Sequence, residues 1–117
     1  MLIVDDSRTS RAILKKVLPP RLLADMIEAS GGAQAVEICR RETIGLMFLD
    51  LTMPEIDGYQ VLALLNEAGG VPPTIVVSAD IQPKATERIL GLGAFAFLKK
   101  TPSRDEIESV LAKMGLA

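Results

Sequence analysis

The sequence predicts an α/β fold, a parallel sheet with helices on both faces. Three observations lead there. Short apolar runs alternate with helical stripes along the chain, turn residues separate them, and several of the runs are apolar throughout. Solid runs such as Met1–Val4 and Thr74–Val77 suit parallel strands covered on both sides, whereas a half-solvated antiparallel strand would alternate.

The elements are expected in the following order. Met1–Val4 is the first strand and ends at Asp5. Ser7–Leu18 is a helix, with Ile13, Leu14, Val17 and Leu18 at helical spacing until Pro19 and Pro20 stop it. Met26–Ala29 is the second strand, and Gly31–Gly32 then turns the chain into helix Ala33–Glu42, whose Ala35, Ile38 and Cys39 share one side. Leu46–Leu49 is the third strand and, like the first, ends in an aspartate. The loop Thr52–Asp57 leads into helix Gly58–Asn66, which carries Val61, Leu62 and Leu65 and ends near Gly69–Gly70. Thr74–Val77 is the fourth strand, Pro83–Leu92 a helix opened by proline, and Ala94–Leu98 the fifth strand. Ser103 with Glu106 three residues on forms a capping box for the last helix, whose Ile107, Val110, Leu111 and Met114 repeat at i, i+3, i+4 and i+7. The expectation is five strands and five helices in one domain over residues 1–117, with no repeat and no linker.

Composition narrows the chemistry. With 49% hydrophobic and 24% charged residues the chain has enough apolar material for a core, which excludes wholesale disorder. A net charge of −2 provides no basic field for nucleic acid phosphates or an anionic membrane surface, so neither partner is expected. No signal segment opens the sequence and no apolar run reaches bilayer length, so the expectation is a soluble cytoplasmic protein. Cys39, the only cysteine, is expected as a small core residue. The chain has no histidine, which removes Ser-His-Asp triads, Cys-His pairs and most transition-metal sites. Chemistry is left to carboxylates, hydroxyls and lysines.

Right-handed crossovers put the carboxyl ends of all parallel strands on one edge, where open α/β sheets bind ligands. The residues following the first, third, fourth and fifth strands are Asp5–Asp6, Asp50, Ser78 and Lys99–Lys100. Three carboxylates at one edge repel one another unless a cation joins them or some are protonated. The hard oxygen set suits magnesium. The simpler reading of Asp5 and Asp6 is helix capping, since carboxylates stabilise a helix N-terminus. A carboxylate such as Asp50 can attack phosphorus to form an aspartyl phosphate, with a metal on one side and a lysine on the other neutralising oxygen charge.

The ordered set "LIVDDS", "LMFLDLTMPEIDG", "TIVVSAD" and "GAFAFLKK" resembles the receiver domains of two-component response regulators over essentially the whole chain. The resemblance implies a flavodoxin-like sheet of order 2-1-3-4-5. It implies Asp50 as phosphoacceptor, and Asp5, Asp6, Asp50 and the backbone carbonyl of Thr52 as magnesium ligands. Lys100 is implied as the phosphoryl-pairing lysine and Ser78 as the switch hydroxyl, with Phe97 either a mobile aromatic or ordinary core. Thr52 and Asp80 flank the expected water path to the acyl phosphate. The implied donor is a sensor histidine kinase or phosphotransfer protein. The implied target is an output protein or a covalently linked output domain, reached through helix four, strand five and helix five. The stretch "DDSRTSR" is similar to chemotaxis-type receivers. Pro54, Asp57 and Gly58 match the family's loop and are given structural roles, the glycine permitting a backbone turn. Thr101 departs from the family, which has proline after the lysine, so a cis bond there loses its usual cause. Met1 already lies in the first strand, which is expected of a trimmed start or of a domain cut from a longer protein. Competing readings are a receiver-like binding module without phosphorylation, a flavin-binding flavodoxin-like protein, and a phosphatase with an aspartyl intermediate.

Overall fold

The computed structural model describes residues 1–79 and 83–116. They form strands β1 (Leu2–Val4), β2 (Ile27–Ala29), β3 (Met47–Leu49), β4 (Thr74–Ser78) and β5 (Ala96–Lys99). Between and after them lie helices α1 (Arg8–Val17), α2 (Gly32–Arg41), α3 (Gly58–Glu67), α4 (Pro83–Gly91) and α5 (Arg104–Lys113). The five strands make one sheet in the order β2-β1-β3-β4-β5, every neighbouring pair parallel. This is the flavodoxin-like, doubly wound arrangement that the sequence predicts.

Both sheet faces are buried, which explains the solid apolar runs. Leu2 and Val4 join Met47, Leu49 and Val76 under α2, α3 and α4, while Ile3 joins Phe48, Ile75 and Val77 under α1 and α5. Leu2, Ile3 and Val4 are all essentially inaccessible to solvent, so one three-residue strand feeds both cores. Each such aliphatic side chain contributes about 1.5–3 kcal/mol by leaving water.

The helix starts follow the local sequence. Ser7 caps α1, its hydroxyl oxygen accepting from the Ser10 amide at 3.1 Å. Asp57 and Gln60 form a capping box at α3, and Ser103 and Glu106 form the expected one at α5. At the other end of α1, Arg104 of α5 donates to the carbonyls of Lys16, Val17 and Leu18, matching a cation to a helix C-terminus.

Differences from expectation have local causes. Strand β5 starts at Ala96, not Ala94, because the C-terminal turn of α4 takes Leu92–Ala94 to satisfy its own carbonyls. The Ala94 amide donates to Ile89 and Gly93 sits at φ +104°, a left-handed conformation that favours glycine. Pro20–Leu22 forms a short 3₁₀ turn where the sequence indicated only a stop. Cys39 is half-buried against the core, and burial pushes its thiol pKa up.

Candidate functional site

The strand register decides which chain segments meet. Because β1 lies between β2 and β3 while the chain crosses from one to the other, the order reverses at the β1/β3 boundary. Val4 pairs with Leu49, and the Asp50 amide donates to the Val4 carbonyl at 2.9 Å, so Asp5 and Asp50 leave the sheet side by side. Asp5, Asp6 and Asp50 each offer a carboxylate oxygen, and these oxygens all lie within 4.8 Å of one another. Asp5 and Asp50 are buried; Asp6 is exposed.

Capping does not account for this cluster. Asp5 Oδ1 accepts from the Ser7 amide at 2.9 Å and so turns the chain toward α1, but the cap itself is Ser7. Hard carboxylate oxygens with one exposed arm fit a divalent cation such as magnesium, which retains waters alongside a few protein ligands. Thr52, two residues beyond Asp50, is exposed and its backbone hydrogen-bonds the Asp50 carboxylate.

Lys100 closes the opposite side. Its backbone amide donates to the Ser78 carbonyl at 3.0 Å, which continues the β4/β5 pairing one residue past Lys99. Its Nζ reaches Asp5 Oδ2 at 2.9 Å, Asp50 Oδ1 at 3.5 Å and Ser10 Oγ at 3.4 Å. Lys99, by contrast, is exposed. The Lys100–Thr101 peptide is cis although residue 101 is not proline.

The charges act on one another. Burial, helped by the neighbouring Asp5 charge, raises the Asp50 pKa above the usual carboxylate value against the opposing pull of Lys100 and Thr52. Burial disfavours the Lys100 ammonium, yet its hydrogen bond to Asp5 and the charges of Asp50 and Asp5 leave its pKa raised. A carboxylate whose pKa is raised thus stands beside a lysine whose pKa is raised.

Ser78 is buried at the end of β4. Phe97 pairs with Val76, two residues back along β5 from the Lys99 that pairs with Ser78, and packs partly buried against the core under α4. Asp80 lies outside the described residues. A small cavity of about 40 Å³ runs under the cluster, lined by Ser10, Ile13 and Pro102 as well as Asp5, Asp50 and Lys100.

Two contributors had no role in the sequence reading, and a third had a different one. Ser10 touches the lysine, and Arg11 donates to the Asp5 carbonyl at 2.6 Å. Both lie on the first turns of α1, and only their nearness to the acidic pair could have signalled them. Gly58 was expected to serve a turn, but its role is space. A Cβ there would lie 2.5 Å from the Asp50 carbonyl oxygen and 2.8 Å from Leu51 Cα, so glycine lets α3 close onto the loop that follows Asp50. The Gly58 amide in turn donates to the Leu51 carbonyl at 3.0 Å.

Residues 1–112 match the family model described as the response regulator receiver domain. The chemotaxis protein CheY of Bacillus subtilis is 31% identical over 113 residues, 97% of this chain and 94% of that protein. A probable transcriptional regulator, ycf27, of Porphyridium aerugineum is 34% identical over 110 residues, but the chain spans only 45% of its length. Among solved structures, the CheX-CheY-BeF3-Mg+2 complex of Borrelia burgdorferi gives a TM-score of 0.87 at 26% identity, covering 99% of this chain and 88% of that one.

Proposed function

The chain belongs to the response regulator receiver domains, phosphoacceptor switches of two-component signalling, and on that premise we propose that Asp50 is the residue that takes the phosphoryl group. In this reading Asp5, Asp6, Asp50 and the Thr52 carbonyl hold a magnesium ion. Lys100 pairs with the transferred group, and Ser78 with Phe97 carries the switch. The observation that carries it is the juxtaposition of three carboxylates within 4.8 Å and a lysine Nζ 2.9 and 3.5 Å from two of them. Asp50 supplies the attacking oxygen while the bond from phosphorus to the donor breaks, and the donor's histidine, or acetate in the case of acetyl phosphate, departs. The buried setting of Asp50 shields the resulting acyl phosphate from bulk water. Bound magnesium would neutralise charge on the phosphoryl oxygens and hold them in line for transfer. Lys100 Nζ moves from the carboxylate to a phosphoryl oxygen, a charge-assisted contact of the same kind.

The domain extends over residues 1–117 and promotes its own phosphorylation and dephosphorylation. Its donor is a histidine kinase or a phosphotransfer protein, and its target an output protein or linked domain. It works in the cytoplasm, where magnesium and phosphodonors occur together. None of the described helices is long and apolar enough to cross a membrane. The Borrelia relative's complex with beryllofluoride and magnesium supports this reading of the site.

The test is mass spectrometry after incubation with acetyl phosphate and millimolar magnesium. Wild type gains one phosphoryl group and Asp50→Asn gains none. Equal labelling of both removes Asp50 as the acceptor.

A further inference from the structure

We propose that Arg11 is a positioning residue for the acidic pair: its guanidinium fixes the peptide joining Asp5 to Asp6 and thereby sets how tightly the cluster takes magnesium. This rests on the metal site proposed above. Arg11 Nη1 donates to the Asp5 carbonyl at 2.6 Å while Nε donates to Glu28 Oε1 on β2 at 2.9 Å, and the side chain is only 13% exposed. Lys15 Nζ pairs with the other Glu28 oxygen at 3.2 Å.

With Arg11 in place, every polar atom of Asp5 is engaged. Its amide donates to the Ala29 carbonyl at 3.1 Å, Oδ1 accepts from Ser7 and Oδ2 from Lys100. The carbonyl is the group that defines the plane of the next peptide, and Asp6 begins there. Asp6 is exposed, so few neighbours orient it other than its own backbone. A planar guanidinium can serve a carbonyl and a carboxylate in two fixed directions at once, which a lysine ammonium on a flexible stem cannot reproduce.

Charge and position predict opposite effects. A cation close to a carboxylate cluster repels a divalent ion, so if Arg11 acted through charge alone its removal would tighten magnesium binding. If it acts by holding the peptide, removal weakens binding in spite of the relieved repulsion.

Magnesium titrated into the full chain by isothermal calorimetry at fixed ionic strength separates these, with unfolding in EDTA followed in parallel. Arg11→Lys keeps the charge and loses the fork, and its affinity is expected to fall about tenfold, the usual scale for groups that orient metal ligands. Arg11→Gln is expected to weaken binding as well. Lys15→Ala loosens the same Glu28 network without touching Asp5, and is expected to lower the unfolding midpoint while keeping affinity within about twofold. Wild-type affinity in Arg11→Lys, tighter binding in Arg11→Gln, or an equal loss in Lys15→Ala each overturns the proposal. Absence of magnesium binding by wild type removes the metal site itself and this inference with it, an outcome distinct from equal binding by wild type and Arg11→Lys.

Discussion

Lys100 Nζ stands 2.9 Å from Asp5 Oδ2, a contact between residues 95 positions apart in the chain. The lysine is the internal counter-ion of the acidic cluster, and Asp5, with its side chain 8% exposed, depends on it. Lys100→Met leaves that carboxylate buried with its charge uncompensated. The expected loss is about 1–2 kcal/mol, below that of a wholly buried pair because Lys100 is 27% exposed. Urea unfolding in EDTA measures it, and an unchanged midpoint would show that solvent already screens the cluster.

Asp50→Asn is expected to raise metal-free stability at pH 7. The Asp50 pKa is raised by burial and the Asp5 charge, so the folded state binds a proton more readily than the unfolded state. Wild-type stability therefore falls as pH rises above the ordinary carboxylate value of 3.8, and the penalty persists at neutral pH. Thermal scans in EDTA should show the variant melting a few degrees higher at pH 7, with the difference shrinking toward pH 4. A variant that melts lower at pH 7 contradicts the assignment.

Magnesium reverses that order. A ligand bound only by the folded state adds about 2.7 kcal/mol at one hundred times its Kd, so wild type should melt higher as magnesium is added. Asp6→Asn should lose most of this rise even though Asp6 is exposed, because it supplies one of the three clustered carboxylates. Calcium-free differential scanning calorimetry across a magnesium series reads both. An undiminished rise in Asp6→Asn places the ion elsewhere.

Glu28 links stability to pH in the opposite sense. Burial works against its charge, but hydrogen bonds from Lys15 and Arg11 prevail and hold its pKa below the ordinary value. The stabilisation is present above pH 4.5, the unfolded value, and is lost as pH falls through the lower folded value. Glu28→Gln is expected to cost about 0.5–1 kcal/mol at pH 7, as for a partly exposed pair, and to converge on wild type in acid. Urea midpoints at pH 7 and pH 3 decide it, and a gap that persists unchanged in acid would assign the cost to something other than the charge.

Gly58→Ala drives a methyl group into the Asp50 carbonyl and Leu51 Cα, both backbone atoms that cannot rotate away. The expected cost is about 1–3 kcal/mol together with slower labelling of Asp50 by acetyl phosphate. Gly45→Ala meets nothing within 4 Å and is expected to stay within about 0.5 kcal/mol of wild type. Equal midpoints for the two variants would mean that α3 can retreat from the loop that follows Asp50.

The legible part of the fold was the part written in neighbouring residues. Solid apolar runs announced strands buried on two faces, and Leu2, Ile3 and Val4 divide between the two cores. Ser103 and Glu106 announced the start of α5 from a three-residue spacing. The acidic pair, Asp50, Ser78 and the pair Lys99–Lys100 could be named because each directly follows an apolar run, and parallel topology sends all such positions to one edge. The choice of Lys100 over Lys99 came from the resemblance of "GAFAFLKK" to the family. The structure starts β5 two residues later than the expected Ala94 because Ala94 and Phe95 are as apolar as a strand, and only the bond from the Ala94 amide to the Ile89 carbonyl of α4 draws Ala94 into a turn.

By itself the sequence determined the α/β class, the alternation of elements and the short set of polar residues at the carboxyl edge, since spacing along the chain encodes periodicity and caps. Tertiary structure alone decided that Lys100 Nζ comes within bonding distance of Asp5, that Arg11 bridges Asp5 and Glu28, and that Gly58 is there for space. Those relations join residues far apart in sequence, or hinge on contacts of 2.5–3 Å that a fraction of an ångström would break. They depend on how helices seat on the sheet, which is set by the packing of both cores together and by no local run of residues.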